Sequence, residues 1–192
     1  MKKRICSLLL AIVMVIGLLP QTAHAADMVT VISTASELAA LGGTALSGDY
    51  RLGANIDMTN VSMTPINSLR SGTFDGGGFA ISNLSIEGSG NTGLFAELSS
   101  GGVITDLTLE NCSVLNDSGS YTGTGMLVGQ IVGQSEISRC GVVGGSVQSS
   151  ASSAVYVGGL VGYASSPVAI SGCYSTAAVT AGSSSGSRTG GL

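Results

Sequence analysis

Gly125-Met126-Leu127-Val128-Gly129 and Gly159-Leu160-Val161-Gly162 are two copies of one phrase, and the interval between them decides the fold. Working outward, Gly93-Leu94 stands before them and Gly191-Leu192 after, so successive Gly-Leu steps fall 32, 34 and 32 residues apart. A second marker keeps the same phase. Ile104, Ile137 and Ile170 are spaced 33 and 33, and Leu107, Cys140 and Cys173 each follow by three. A unit of this length cannot bury its own apolar face, whereas stacked copies can, so the expected architecture is a solenoid.

Upstream the period shortens. Ile81-Ser82-Asn83-Leu84-Ser85-Ile86 reads like Ile104-Thr105-Asp106-Leu107-Thr108-Leu109, which returns as Ile137 to Val142 and, more weakly, as Ile170 to Ser175. Only 23 residues separate Ile81 from Ile104, so tighter early turns are expected. The strands between turn signals are short, about three per repeat, and hold only if each pairs with the next turn of the coil. Their apolar positions are expected to stack inward as a leucine ladder from the Gly-Leu steps, an isoleucine ladder and a Leu/Cys ladder. The longer repeats carry their extra residues in Asn116 to Gly123, Gln148 to Ala154 and Ala181 to Thr189, all rich in Ser and Gly. Insertions at one point of a repeat emerge on one side of a solenoid.

The N-terminus has its own organisation. Lys2-Lys3-Arg4, the apolar run Ile5 to Leu19 and Ala23-His24-Ala25 form a secretory signal over residues 1–25, with cleavage between Ala25 and Ala26. Pro20 and the small-residue box favour a signal over an uncleaved anchor, which leaves no integral membrane segment after cleavage. Residues 26–48 read as a cap. Met28 to Ile32 is a short strand, and Thr34-Ala35-Ser36-Glu37 is a capping box opening a helix of about two turns that stops at Gly42-Gly43. Residues 49–92 form the early rungs and 93–192 the repeats. Pro65 is expected to confine Thr64 to Asn67 to an edge or a turn, and Gly72 to Phe79 requires tight turns. Gly190-Gly191-Leu192 opens a further repeat, so the chain reads as a piece of a longer protein.

Composition excludes several functions. Removing the signal removes the only histidine and three of seven basic residues; eleven acids against four arginines leave a formal charge of −7. Such a chain lacks the clustered Lys and Arg that nucleic acid or an anionic membrane requires. Without histidine or a Cys-x-x-Cys pair, no metal or other cofactor is expected. Cys140 and Cys173 share a repeat position; a disulfide is geometrically open to them, but in-register parallel Cβ vectors favour a reduced ladder.

Asp57 and Asp75, on adjacent early rungs, are the best candidates for a glycosidase pair, which needs carboxylates about 5–9.5 Å apart. Asp75 before three glycines also reads as a turn cap, and Ser or Cys nucleophiles lack a histidine partner. Asn116-Asp117-Ser118-Gly119 and Asp75 to Gly78 offer calcium-type oxygens, with ordinary turns the stronger reading. Sequons stand at Asn60, Asn83, Asn111 and Asn116, and carry little weight in a bacterial source. Tyr121 and Tyr156, beside the polar insertions, are the candidate ligand contacts; Tyr163 and Tyr174 read as core or ladder residues.

The Gly-Leu-Val-Gly steps with Ile-x-x-Cys resemble the GLUG-motif repeats of bacterial surface proteins. The repeat-defining positions are Gly93, Leu94, Gly125, Gly129, Gly159, Leu160 and Gly162, with Ile104, Ile137 and Ile170. The stretch that often precedes such repeats is matched by Asp49-Tyr50-Arg51-Leu52, Ile56-Asp57-Met58, Thr64-Pro65-Ile66 and Gly72 to Gly78. Met63, Asn67 and Ala96 depart from the pattern at packing positions. The resemblance covers about residues 30–192 and implies an all-β, right-handed parallel β-helix with a short N-terminal capping helix, on or outside a bacterial cell. A structural or adhesive role is expected, with a host surface protein or a glycan as partner; the residues offer no catalytic set, and the low charge fits self-association as a further reading. The alternative is the scaffold of an extracellular peptidase or glycan-active enzyme, since some relatives carry metallopeptidase domains of the IgA-protease type.

Overall fold

A computed structural model describes residues 28–118, 122–151, 155–182 and 186–192. The proposed signal with its Ala25–Ala26 cleavage point, and Tyr121, lie outside the described residues.

The chain winds as a parallel β-helix whose turns widen. The first turn holds β1 (Thr30–Ile32), helix α1 (Ala35–Ala39) and β2 (Ala45–Leu46). The second holds β3 (Tyr50–Leu52), β4 (Ile56–Asp57) and β5 (Ile66–Leu69). A fourth strand enters in the third, with β6 (Gly72–Asp75), β7 (Ala80–Ser82), β8 (Ser85–Ser89) and β9 (Phe95–Ser99). The fourth turn has five: β10 (Gly102–Thr105), β11 (Thr108–Glu110), β12 (Ser113–Ser118), β13 (Thr122–Gly125) and β14 (Val128–Val132). The fifth repeats them as β15 (Ser135–Ser138), β16 (Gly141–Val143), β17 (Ser146–Ser149), β18 (Val155–Gly158) and β19 (Val161–Ala164). The last adds β20 (Val168–Ser171), β21 (Tyr174–Ser175), β22 (Ala178–Ala181) and β23 (Arg188–Gly190).

Stacking sorts these strands into five sheets. Sheet A is β1-β3-β6-β10-β15-β20, sheet C β4-β7-β11-β16-β21, sheet D β8-β12-β17-β22, sheet E β13-β18-β23 and sheet B β2-β5-β9-β14-β19. The chain visits them in the order A, C, D, E, B. Sheets D and E are absent from the first two turns, which is why those turns are short. Tyr50, Phe74, Ile104, Ile137 and Ile170 succeed one another in sheet A at steps of 24, 30, 33 and 33 residues.

The core is a set of like-on-like ladders. Leu69, Leu98 and Ile131 align in sheet B, Ile81, Leu109 and Val142 in sheet C, and Ile86, Val114 and Val147 in sheet D. All are essentially inaccessible. Fully burying each such side chain contributes about 1.5–3 kcal/mol. Phe74 and Phe95 meet edge to face across the core, centroids 5.2 Å apart. The capping box forms as expected. Glu37 N–H donates to Thr34 Oγ1, while Glu37 Oε2 accepts from the N–H groups of Ser33 and Thr34, at 2.8 and 3.0 Å. Leu38 is the buried residue of this short helix.

Four expectations are corrected. Gly125 lies on Gly158, not Gly159, so the 34-residue interval dissolves and Val128 to Val161 steps by 33. Ile81 aligns with Leu109 and Ile56 in sheet C, not with Ile104 in sheet A; the two similar phrases occupy different corners of the coil. The stretch after Pro65 is neither edge nor turn, because β5 lies between β2 and β9. Pro65 stands one residue before that strand, where its missing N–H takes nothing from the ladder and its carbonyl accepts Gly43 N–H at 2.9 Å. Ile170, in the last turn, stacks on Ile137 yet is 37% exposed.

Candidate functional site

The Gly-Leu-Val-Gly phrase folds as a sharp bend between sheets E and B. β13 runs into Met126-Leu127 and returns as β14; β18 runs into Gly159-Leu160 and returns as β19. Leu94, Leu127 and Leu160 are buried inside the bend, with Leu94 N–H donating to Met126 C=O and Leu127 N–H to Leu160 C=O. Outside it the two strands press backbone on backbone. A Cβ on Gly125 would stand 2.6 Å from Gly162 N, and one on Gly129 2.6 Å from Thr92 N. These glycines are required by close approach; none of them has positive φ.

Farther from the bend the strands carry side chains that face one another at equal offsets from it. Tyr156 and Tyr163 stack at 4.5 Å with rings 29° apart, both half-buried. Arg188 covers Tyr156, its guanidinium 5.4 Å from the ring centroid, and donates to the Tyr156 hydroxyl at 3.1 Å. One turn earlier the offset pair is Gly123 and Gln130; Asn91 donates its amide to Gln130 and accepts Gly123 N–H at 3.0 Å. Tyrosine pair, amide pair and arginine thus form one polar-aromatic column along the E/B margin. The extra segments fall beside it in the sequence: each begins in the last residues of β12, β17 or β22 and runs to or into the sheet E strand that follows.

A buried polar hinge holds the root of the first insertion. Asn116, fully inaccessible, donates through Nδ2 to Gly90 C=O, Thr122 Oγ1 and Thr124 Oγ1, at 2.9, 3.1 and 3.0 Å. Its Oδ1 accepts Ser118 N–H. Both ends of the Asn116 amide are thus engaged in this hinge.

The carboxylates also have partners. Asp75 Oδ1 accepts Gly77 N–H at 2.7 Å, the turn cap foreseen, and Oδ2 pairs with Arg51 at 3.4 Å. Asp57 accepts from Asn83 and Thr59, whose hydrogen bonds, Asn83 first, hold its carboxyl below the usual range. Of the proposed pair, Asp57 lies on sheet C and Asp75 on sheet A, each held by partners of its own. Asp106 is gripped through both oxygens by Arg139, each bond 2.7 Å, and this guanidinium holds its carboxyl down.

Among the described residues, Cys112, Cys140 and Cys173 are free thiols. Cys140 directs its thiol toward the Ile104 and Ser138 carbonyls, and burial pushes its pKa up to about 12. Cys173 repeats the arrangement one turn on and receives Cys140 N–H on sulfur. Among the described residues no cluster of three metal-ligating side chains occurs.

Of the predicted contacts, Tyr156 is therefore half-buried between Tyr163 and Arg188. Tyr163 and Tyr174, read as core or ladder residues, both hold ladder positions, Tyr163 on Gln130 and Tyr174 on Gly141; Tyr163 is the stacking partner of Tyr156 on the margin, and Tyr174 is 51% exposed, its ring lying over Gly141. The Tyr163 and Gln130 assignments were legible only through the symmetry of positions about each Gly-Leu bend.

No family model matches the chain. Over 89 residues, 44% of the chain, it is 42% identical to Halomucin of Haloquadratum walsbyi, of whose length the match spans 1%. Among solved structures, a Bacteroides ovatus protein provisionally described as an immunoglobulin A1 protease overlaps 79% of this chain and 67% of its own, at 16% identity and a TM-score of 0.40. That overlap is too slight for anything to be carried over. Among the described residues no helix is long and apolar enough to cross a membrane, which says nothing of β-barrels.

Proposed function

We propose that this chain is a GLUG-type repeat solenoid that works outside a bacterial cell as a stiff, non-catalytic stalk and adhesive surface. The carrying observation is that the D-to-E connection, where all three insertions fall in the sequence, adjoins the Tyr156–Tyr163–Arg188 column. A margin of aromatic rings, amides and one cation fits a glycan or a polar host protein surface, since sugars stack on rings and bond to amides. Engagement of Asp57, Asp75 and Asp106 in turn caps and ion pairs supports the non-catalytic reading.

The test is binding of the secreted chain to a glycan array and to immobilised host matrix proteins, beside a variant with Gln148 to Ala154 replaced by an equal Gly-Ser segment. Saturable binding that the replacement weakens at least fivefold is expected. Binding indifferent to that change would overturn the margin as the contact. Hydrolysis of a peptide or glycan by the purified chain would move the protein to the enzyme-scaffold reading.

A further inference from the structure

Sheet D begins abruptly. β8 is its first strand, because the second turn passes from β4 to β5 through residues 58–65 without forming a strand beneath β8. Ladder parity shows which of its backbone groups lack a partner. Ser113 N–H donates down to Leu84 C=O, and Ser146 N–H down to Cys112 C=O, so residues 84 and 86 bond toward the following turn. Ser85 aligns with Ser113 and Glu87 with Leu115, residues whose groups point to the preceding turn. The N–H and C=O of Ser85 and Glu87 therefore point to where a preceding strand would lie, and no group of residues 58–65 bonds to them.

They open into a cleft of about 450 Å³. Met58 and Met63, both almost fully buried, form its floor, and Asn60, Asn83 and Glu87 stand on its rim. Thioether side chains adapt to varied apolar partners. Glu87 is exposed and makes no ion pair or side-chain hydrogen bond among the described residues, where the two salt bridges join Arg51 to Asp75 and Arg139 to Asp106. We propose that this cleft binds an extended peptide, which adds to β8 as a strand, sets an apolar side chain on Met58 and Met63, and places a Lys or Arg opposite Glu87.

The occupant is a free segment and not the end of a second solenoid. Sheets A and B continue for two turns and sheet C for one below the level of β8, so a second coil bringing its own sheet D to that edge would collide with them. A single extended strand needs only the space between β8 and residues 58–63, which is the cleft itself. Main-chain bonds to Ser85 and Glu87 supply affinity in this mode, and alternate side chains supply selectivity. Cross-strand charge pairing with the unpaired carboxylate favours a basic residue.

The experiment uses the secreted chain and the fluorescein-labelled hexapeptide Lys-Val-Lys-Val-Lys-Val, read by fluorescence polarisation and by amide hydrogen exchange. Saturable binding is expected, with exchange slowed at Ser85 and Glu87. An analogue N-methylated at alternate peptide nitrogens should lose at least tenfold in affinity. Glu87→Lys, at an exposed site, should lose at least threefold with unchanged circular dichroism, and a Glu-Val hexapeptide should bind more weakly than the Lys-Val one. Equal binding of the N-methylated peptide, or protection at the β20 to β23 end in place of β8, would overturn the proposal, as would no saturable binding.

Discussion

At the scale of single residues, two contrasts govern this protein: backbone contact against side-chain contact, and engaged against idle charge. Gly162 is the sharpest case of the first. Its Cα faces Thr124 N and the Gly129 carbonyl, all backbone, so no side-chain rotation relieves an added methyl. Gly162→Ala is expected to destabilise the chain by roughly 3 kcal/mol or more, at the upper end of single substitutions, while Gly191→Ala, whose Cβ would meet nothing within 4 Å, should be near neutral. Thermal denaturation of the pair by circular dichroism gives the comparison. Asp106 illustrates the second contrast. Arg139 lowers its folded pKa, so its contribution is fully present above the unfolded carboxylate pKa of about 3.9 and is lost as pH falls through the folded value. Asparagine keeps the backbone that Asp106 adopts at φ 53°. The stability gap between the native chain and Asp106→Asn should therefore close as pH drops below about 4 in urea melts, and a gap constant from pH 7 to 2 would refute the assignment. Cys140, with its pKa near 12, and buried Cys112 should resist alkylation at pH 8 in the folded chain, with Cys173 labelled first by mass spectrometry.

At the scale of elements, stability lies in ladders and not in individual strands. A strand of three or four residues has no independent existence; it is held by its partner on either side. Ile137 has both neighbours and no exposure, Ile170 has one and is 37% exposed. Ile137→Ala is expected to cost about 2–5 kcal/mol, Ile170→Ala less than half of whatever Ile137→Ala costs, by chemical denaturation. The cap is a smaller term. Thr34→Ala removes the acceptor for Glu37 N–H and should cost about 1 kcal/mol. The arch between sheets E and B is an element of another kind, built by absence of side chains near the bend and by paired side chains away from it. This part was readable only in outline. The Gly-Leu repeat announced a recurring bend, yet Tyr163 looked like a core residue because alternation alone does not say which face an arch leaves open.

At the scale of the whole molecule, the coil widens from three elements per turn to five, and its margins differ accordingly. Nearest-neighbour stacking makes such a protein quasi-one-dimensional, so opening is expected to begin at a turn covered on one side. Native-state hydrogen exchange should find amides of β20 to β23 exchanging faster than those of β10 to β14, and uniform protection would speak against stepwise opening. The same widening leaves β8 as an internal edge within an otherwise paired stack, a feature that no local pattern in Ser85 to Ser89 betrays.

What the sequence by itself determined was the kind of object this is: repeat length, inward ladders and the capped first helix all follow from periodicity and composition. Periodicity is a property of stacking, and stacking is recorded in each copy. Register was not recorded so fully. Whether Gly125 lies on Gly158 or Gly159, whether Ile81 belongs with Ile104 or Leu109, and which strands face Tyr156 depend on how many corners each turn makes. That number changes along the chain, and only the assembled coil, balancing side-chain volume inside against backbone contact at the Gly-Leu bends, decides it.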